Sequence, residues 1–245
     1  LGEARIIATF DADLFGDHAT ALRNARDFAD GRRAEDGKKN RLYSVEAGYS
    51  ITGGMADHRY AIPAGHIGST LMQLADELIT HQGLDLPGDF GAIKEALDHD
   101  HAPEWIPVLA RDLMHHRGAS LIAVGSRQPD WVHALAHLIN RALGNTDVTV
   151  VHRELPDANR ASHAASMGFF AEQVARGSVK NLVVLGGNPV FDGPVDAGVA
   201  ELFAKVEHSV HIALHDNETS RACTWHLPRA HALEAWSDVR DGEGR

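Results

Sequence analysis

Six short runs, Arg5–Thr9, Leu42–Glu46, Ser120–Val124, Val148–His152, Asn181–Leu185 and Ser209–Leu214, are mostly apolar at successive positions rather than at alternate ones. A strand that is apolar on both sides must be buried on both faces. That is the signature of a parallel sheet covered by helices. The stretches between the runs have helical spacing. Ile67, Leu71, Leu74 and Leu78 form one stripe, and Leu135, Leu138, Ile139 and Leu143 form another. Thr20–Ala29 places Leu22, Ala25 and Ala29 on one side, and Met167–Ala175 and Val199–Val206 continue the pattern. Strand alternating with helix predicts an α/β chain with right-handed crossovers.

The rhythm breaks at "GLDLPGDFGAIKEALDHDHAPEW", residues 83–105, where Gly, Pro and acids surround one short helical pattern at Ile93–Leu97. A boundary placed there gives two α/β units, 1–98 and 99–245, the second holding four of the six expected strands. The length of 245 residues suits such a division.

Charge narrows the partners. The formal net charge is -11, which repels polyphosphates and argues against nucleic acid. No apolar stretch approaches the ~20 residues that span a bilayer, so direct membrane insertion is not expected. The single Cys223 can form no internal disulfide and cannot by itself hold an iron–sulfur cluster. Leu1 in place of an initiator methionine suggests a processed or cut chain.

In open α/β sheets, ligands sit beyond the carboxyl ends of the strands. Three such tips carry candidate chemistry. "GSRQP" offers Gly125, Ser126, Arg127 and Gln128 ahead of Pro129, which opens a helix. Free amides there suit a phosphate or a polar heterocycle, and a plain strand–helix turn is the alternative. "GGNP" offers Gly186 and Gly187 for close backbone approach, Asn188 to read an amide-like edge, and Pro189 to stiffen the exit. "HDNE" offers Asp216 and Glu218 to accept from a ring amine or a ribose hydroxyl, with a turn or cap as the alternative.

His133 and His137 stand four apart on an expected helix, a spacing that can chelate zinc, but the sequence supplies no third ligand. "DHDH", Asp98–His101, reads as a solvated linker. No Walker loop, no Gly-x-Ser-x-Gly elbow and no Gly-x-Gly-x-x-Gly fingerprint is present. No catalytic residue and no metal ligand is assigned.

Taken in order, Gly187, Asn188, Pro189, Asp216, Glu218, Thr219, Leu227, Pro228, Glu234, Glu243, Gly244 and Arg245 resemble the closing stretch of molybdopterin oxidoreductases of the dimethylsulfoxide-reductase type. "RLYSVEAGYSIT" resembles that family's nucleotide-binding strand, with Glu46 in the acid's place. "ADHRYAIPAGHIGSTLMQLADELI" resembles its Ala-Asp, strand, Pro-x-Gly and helix succession. "AVGSRQPDWVHALAHLIN" and "ETSRACTWHLPRAHALEAWSDVR" resemble, more narrowly, the molybdopterin-like iron–sulfur subunit of bacterial alternative complex III.

The resemblance implies two Rossmann-like units matching the family's central domains. It implies a nucleotide-binding role for Glu46, Gly125, Ser126, Arg127, Gln128, Gly186, Gly187, Asn188, Pro189, Asp216 and Glu218. It also implies a periplasmic place on the bacterial inner membrane, beside other subunits of a respiratory electron-transfer complex. Iron–sulfur clusters are expected only outside this segment. Three departures point to a scaffold without the molybdenum cofactor. "FDADLFG" puts Phe10 and Asp11 where family members carry Gly and Asn-Pro, adding bulk and negative charge where a pyrophosphate would approach. "EAGYS" replaces Asp-Pro-Arg. No residue answers to the metal's protein ligand, and Cys223 falls in the "CTWHLP" strand. The alternative is the middle of a working bis-molybdopterin-guanine-dinucleotide enzyme of molybdenum or tungsten. A third reading is an unrelated α/β protein that binds a nucleotide or a sugar phosphate.

Overall fold

The computed structural model describes residues 1–33, 39–86, 103–152 and 161–238. The expected helix at Ile93–Leu97, the Asp98–His101 linker and the closing Glu243–Arg245 lie outside the described residues. The chain is α/β, with two parallel sheets flanked by helices, and it divides into compact units 1–153 and 154–245.

In the first unit β1 (Ile6–Phe10), β2 (Arg41–Glu46), β3 (His58–Ala61) and β4 (Ser120–Val124) lie in the order β3-β2-β1-β4, every pair parallel. The chain moves outward from β1 through α1 (Ala21–Asp30) and α2 (Ile51–Gly54). It then returns through α3 (Ile67–Thr80) and α4 (Ile106–His115) to β4, on the far side of β1, and continues into α5 (Asp130–Ala142). Reversal of direction at β1 puts helices on both faces. Ile6, Ala8 and Phe10 pack with α3, α4 and α5, while Ile7 packs with Phe28 of α1. The α3 stripe is fully buried at Ile67, Leu71, Leu74 and Leu78, each contributing about 2–3 kcal/mol of transfer free energy. Across the sheet, Arg41 and the Tyr43 hydroxyl both bond the Asp112 carboxylate on α4. Burial, with Asp112 beside it, pushes the Tyr43 phenol up to about 12.

Three expectations are corrected here. The boundary at 98 assigned β4 to the second unit, but β4 pairs with β1 along its whole length, Ile6 opposite Ser120 through Phe10 opposite Val124. Val148–His152 is not a strand. Only a single bridge, Thr146 to Val150, forms there, because the β4 edge beside it is already occupied by the side chains of Asn140 and Asn145. On α1 the inward face is Asn24 and Phe28, while Leu22 is 90% exposed and Ala25 and Ala29 are exposed too. Asn24 is drawn inward because its amide donates to the Leu14 carbonyl, so the helix is turned by a polar anchor rather than by its alanines.

The second unit holds α6 (His163–Ala175), β5 (Asn181–Leu185), α7 (Pro189–Asp192), α8 (Val199–Ala204), β6 (His208–Ala213), α9 (Glu218–Ala222) and β7 (Trp225–Pro228). The strands run parallel in the order β5-β6-β7. Val174, Val199, Leu202, Phe203 and Val206 form its core, with Leu182 and Val184 packed against it. β3 and β7 contain histidines and were not apparent as apolar runs. The family resemblance alone marked them as strands.

Candidate functional site

β1 and β4 are where the strand order of the first sheet reverses, so the cleft beyond their tips is the place a doubly wound sheet offers a ligand. A cavity of about 520 Å³ lies there, at the ends of β1, β2 and β4. Asp11, Asp13, Asp17 and Glu46 contribute carboxylates to its lining. Ser126, Arg127, His18 and His133 also face it.

Each polar group at this mouth has an internal reason for its position. Asp13 Oδ1 accepts from the Thr52 amide at 3.1 Å, the Thr52 hydroxyl at 2.7 Å and the Gly16 amide at 3.1 Å. Burial works to raise the Asp13 carboxyl, but these hydrogen bonds outweigh it and hold it below the ordinary range. The loop after β1 is thereby tied to α2 as a charged group. Ser50 caps α2, accepting from the Gly53 amide, and its hydroxyl and amide both reach Glu46. Glu46, only 4% exposed, also accepts from Arg59 Nε at 2.6 Å. A Cβ on Gly53 would lie 1.8 Å from Glu46 Oε1, so only glycine allows this seat. Glu46, which the resemblance implies as a nucleotide-binding acid, is thus committed to Arg59 and Ser50.

The "GSRQP" loop closes against β1. The Gly125 amide donates to the Phe10 carbonyl at 2.9 Å, and a Cβ on Gly125 would stand 1.8 Å from the Asp11 carbonyl oxygen. The Gln128 amide donates to Asp11 Oδ2 at 3.1 Å. Asp11 itself has φ +59, a left-handed conformation uncommon outside glycine. Phe10 corrects an expectation: it is fully buried in the core beneath the cleft and adds no bulk at the tip. Its position in β1 alternates with Thr9, which sends its ring to the α3–α5 side.

These residues do not fit a pyrophosphate. Among the described residues, three carboxylates, Asp11, Asp13 and Asp17, face the cleft against the guanidinium of Arg127, since Arg59 is spent on Glu46. Like unit charges about 4 Å apart repel by about 4 kcal/mol at an effective dielectric near 20. The first turn of α5, whose amides favour an anion, already carries Asp130.

In the second unit, Gly186 and Gly187 have φ +67 and +69, the left-handed turn their sequence suggested. Asn188 is not free to read a base. Its Oδ1 accepts from the Thr219 amide at 3.1 Å and hydroxyl at 2.8 Å, and its Nδ2 donates to Glu218 at 2.7 Å. Thr219 in turn accepts from the Val190 amide. Asn188 therefore staples the β5 loop to the start of α9, and it holds the Glu218 carboxyl below its ordinary range. Pro189 opens α7 at its first position. Asp216 is exposed and lies 3.7 Å from Arg221. Asn217, unassigned from sequence, caps α9 by accepting from the Ser220 amide, and the Asn-x-x-Ser spacing was the signal for it. Beside this staple, Gly186, Gly187, Leu214, His215, Asn217 and Arg229 border a crevice of about 240 Å³, below the usual range of small-molecule sites.

His133 and His137 both lie on α5. The His137 ring centroid is 4.9 Å from that of His152. Burial, then His152 and His133, push the His137 imidazole down. Among the described residues, no three His, Cys, Asp or Glu side chains are grouped to hold a metal. Cys223 ends α9, ahead of β7 rather than within it, and burial pushes its thiol up. No helix of the described residues is long and apolar enough to cross a membrane. No family model matches this chain, and no curated protein matches it.

Proposed function

We propose that this chain is the pair of Rossmann-like units of a molybdopterin-oxidoreductase-like subunit that serves as a scaffold without the molybdenum cofactor. Its setting would be a membrane-associated quinol:acceptor electron-transfer complex on the periplasmic side of the inner membrane, among the other subunits. One observation carries the reading. Three of the side chains expected to hold the nucleotide are bonded within the chain: Glu46 to Arg59 and Ser50, Gln128 to Asp11, and Asn188 to Thr219 and Glu218. The ordered motifs of the resemblance support the family, and the acidic cleft supports the absence of the dinucleotide.

The competing reading is a piece of a working bis-pterin molybdenum or tungsten oxidoreductase. It draws on the two left-handed glycines and the Arg229 guanidinium at the second crevice. Mass spectrometry of the native protein for pterin guanine dinucleotide separates the two. The scaffold reading expects none, and stoichiometric cofactor overturns it. Calorimetry with guanine nucleotides checks the same point without the metal, and tight binding at either unit favours the enzyme.

A further inference from the structure

Among the described residues, the sheet of the second unit has one covered face and one open face. β5, β6 and β7 follow one another in both sequence and space. Successive right-handed crossovers that keep stepping the same way put every connecting helix on the same side. Accordingly Leu182 and Val184 face the helices, and Ser209, His211 and Ala213 are buried on that side. The opposite side carries two rows of three apolar residues in register: Val183, Val210 and Trp225, then Leu185, Ile212 and Leu227. Val183 is 59% exposed, Leu185 75%, Trp225 63% and Leu227 46%. Parallel sheets are found with both faces covered, so this open face calls for a partner.

We propose that the partner is a second copy of this chain, packed face to face. The four most exposed residues leave roughly 500 Å² open, most of it apolar side chain, within the range of the largest patch on an ordinary monomer. Two such faces together bury about 1,000 Å², the threshold a specific interface has to clear. The rows are also self-complementary. A two-fold axis lying between the sheets, parallel to the strands, sets the β7 edge of one copy over the β5 edge of the other. Trp225 then meets the partner's Val183, large against small, and the partner's Leu185 meets Leu227. Along the strands the apolar centre is bounded by polar residues, Asn181 and His208 at one end and Arg229 at the other. An apolar centre within a polar rim is the anatomy of a protein interface.

Sedimentation of the whole chain tests this. The wild type is expected to dimerise reversibly. Leu185→Lys is expected to raise the dissociation constant at least about 10-fold, and Val183→Lys should behave alike. Val195→Lys, at a residue 93% exposed and outside the strands, is expected to sediment as the wild type does. Circular dichroism reports whether each variant is folded. A wild type monomeric at about 100 μM, well above the micromolar range of modest interfaces, overturns the proposal and leaves the face to a different subunit. So does a folded Leu185→Lys that dimerises as the wild type does. Neither outcome depends on cofactor content, so the result stands apart from the scaffold reading.

Discussion

Asn140 pairs with Ile122 as a neighbouring strand would: its Oδ1 accepts the Ile122 amide at 3.0 Å, and its Nδ2 donates to the Ile122 carbonyl at 2.8 Å. Both residues are buried. Asn145 extends the arrangement, bonding the Ser120 hydroxyl and donating to Asn140 Oδ1. The open edge of β4 is thus closed by the side chains of α5 and the turn after it. Edge strands otherwise template unwanted pairing.

Asn140→Ala should leave a buried amide and a buried carbonyl unpaired, costing about 2–4 kcal/mol. Urea denaturation would show the lower midpoint, and light scattering would show whether the freed edge associates. A loss under about 0.5 kcal/mol, the scale of a neutral surface change, would mean that the edge is satisfied in another way.

Asp57 predicts the acid limb of stability. Arg32 grips it through both terminal nitrogens at 2.8 and 2.7 Å, and the Leu42 amide and Lys39 add to it. Burial opposes ionisation, but these partners prevail and hold the carboxyl well below the usual range. The unfolded chain therefore binds the proton more readily. The stabilisation is present above about pH 4 and lost as pH falls through the lowered folded value. Asp57→Asn should cost about 1–3 kcal/mol at neutral pH. The gap to wild type should narrow as the medium is acidified, and a gap independent of pH would refute the assignment.

Gly125→Ala places a methyl against the Asp11 carbonyl, which is backbone and cannot swing aside. The tips of β1 and β4 must part, losing the Gly125–Phe10 hydrogen bond. Overpacking of this kind costs about 1–3 kcal/mol. Thermal melting checks it, and an unchanged melting temperature would show the tips to be freely separable.

Asn188→Ala distinguishes a staple from a base reader. If the side chain works only within the fold, the second unit loses about 1–3 kcal/mol and guanine nucleotide binding is unaltered. Calorimetry showing weaker nucleotide binding at unchanged stability would return Asn188 to a recognition role.

The two outcomes for α3 and α1 show what a stripe can tell. Ile67, Leu71, Leu74 and Leu78 are large, so their spacing alone fixes the inward face. Leu22, Ala25 and Ala29 bury too little to compete with one asparagine seeking the Leu14 carbonyl. β4 was legible as a strand and misplaced as to unit, because an apolar run states that it is buried but not beside what. The strand tips were legible as the place to look, and their chemistry was not.

Sequence by itself determined the α/β class, the parallel strands read from continuous apolar runs, and the glycine turn at Gly186–Gly187. Those depend on periodicity and on backbone freedom, which are local. Only the tertiary structure decided that Glu46 belongs to Arg59, Asn188 to Thr219 and β4 to β1. Hydrogen-bond partners 13 and 31 residues apart are brought together by packing, and no pattern along the chain records which polar group will satisfy another.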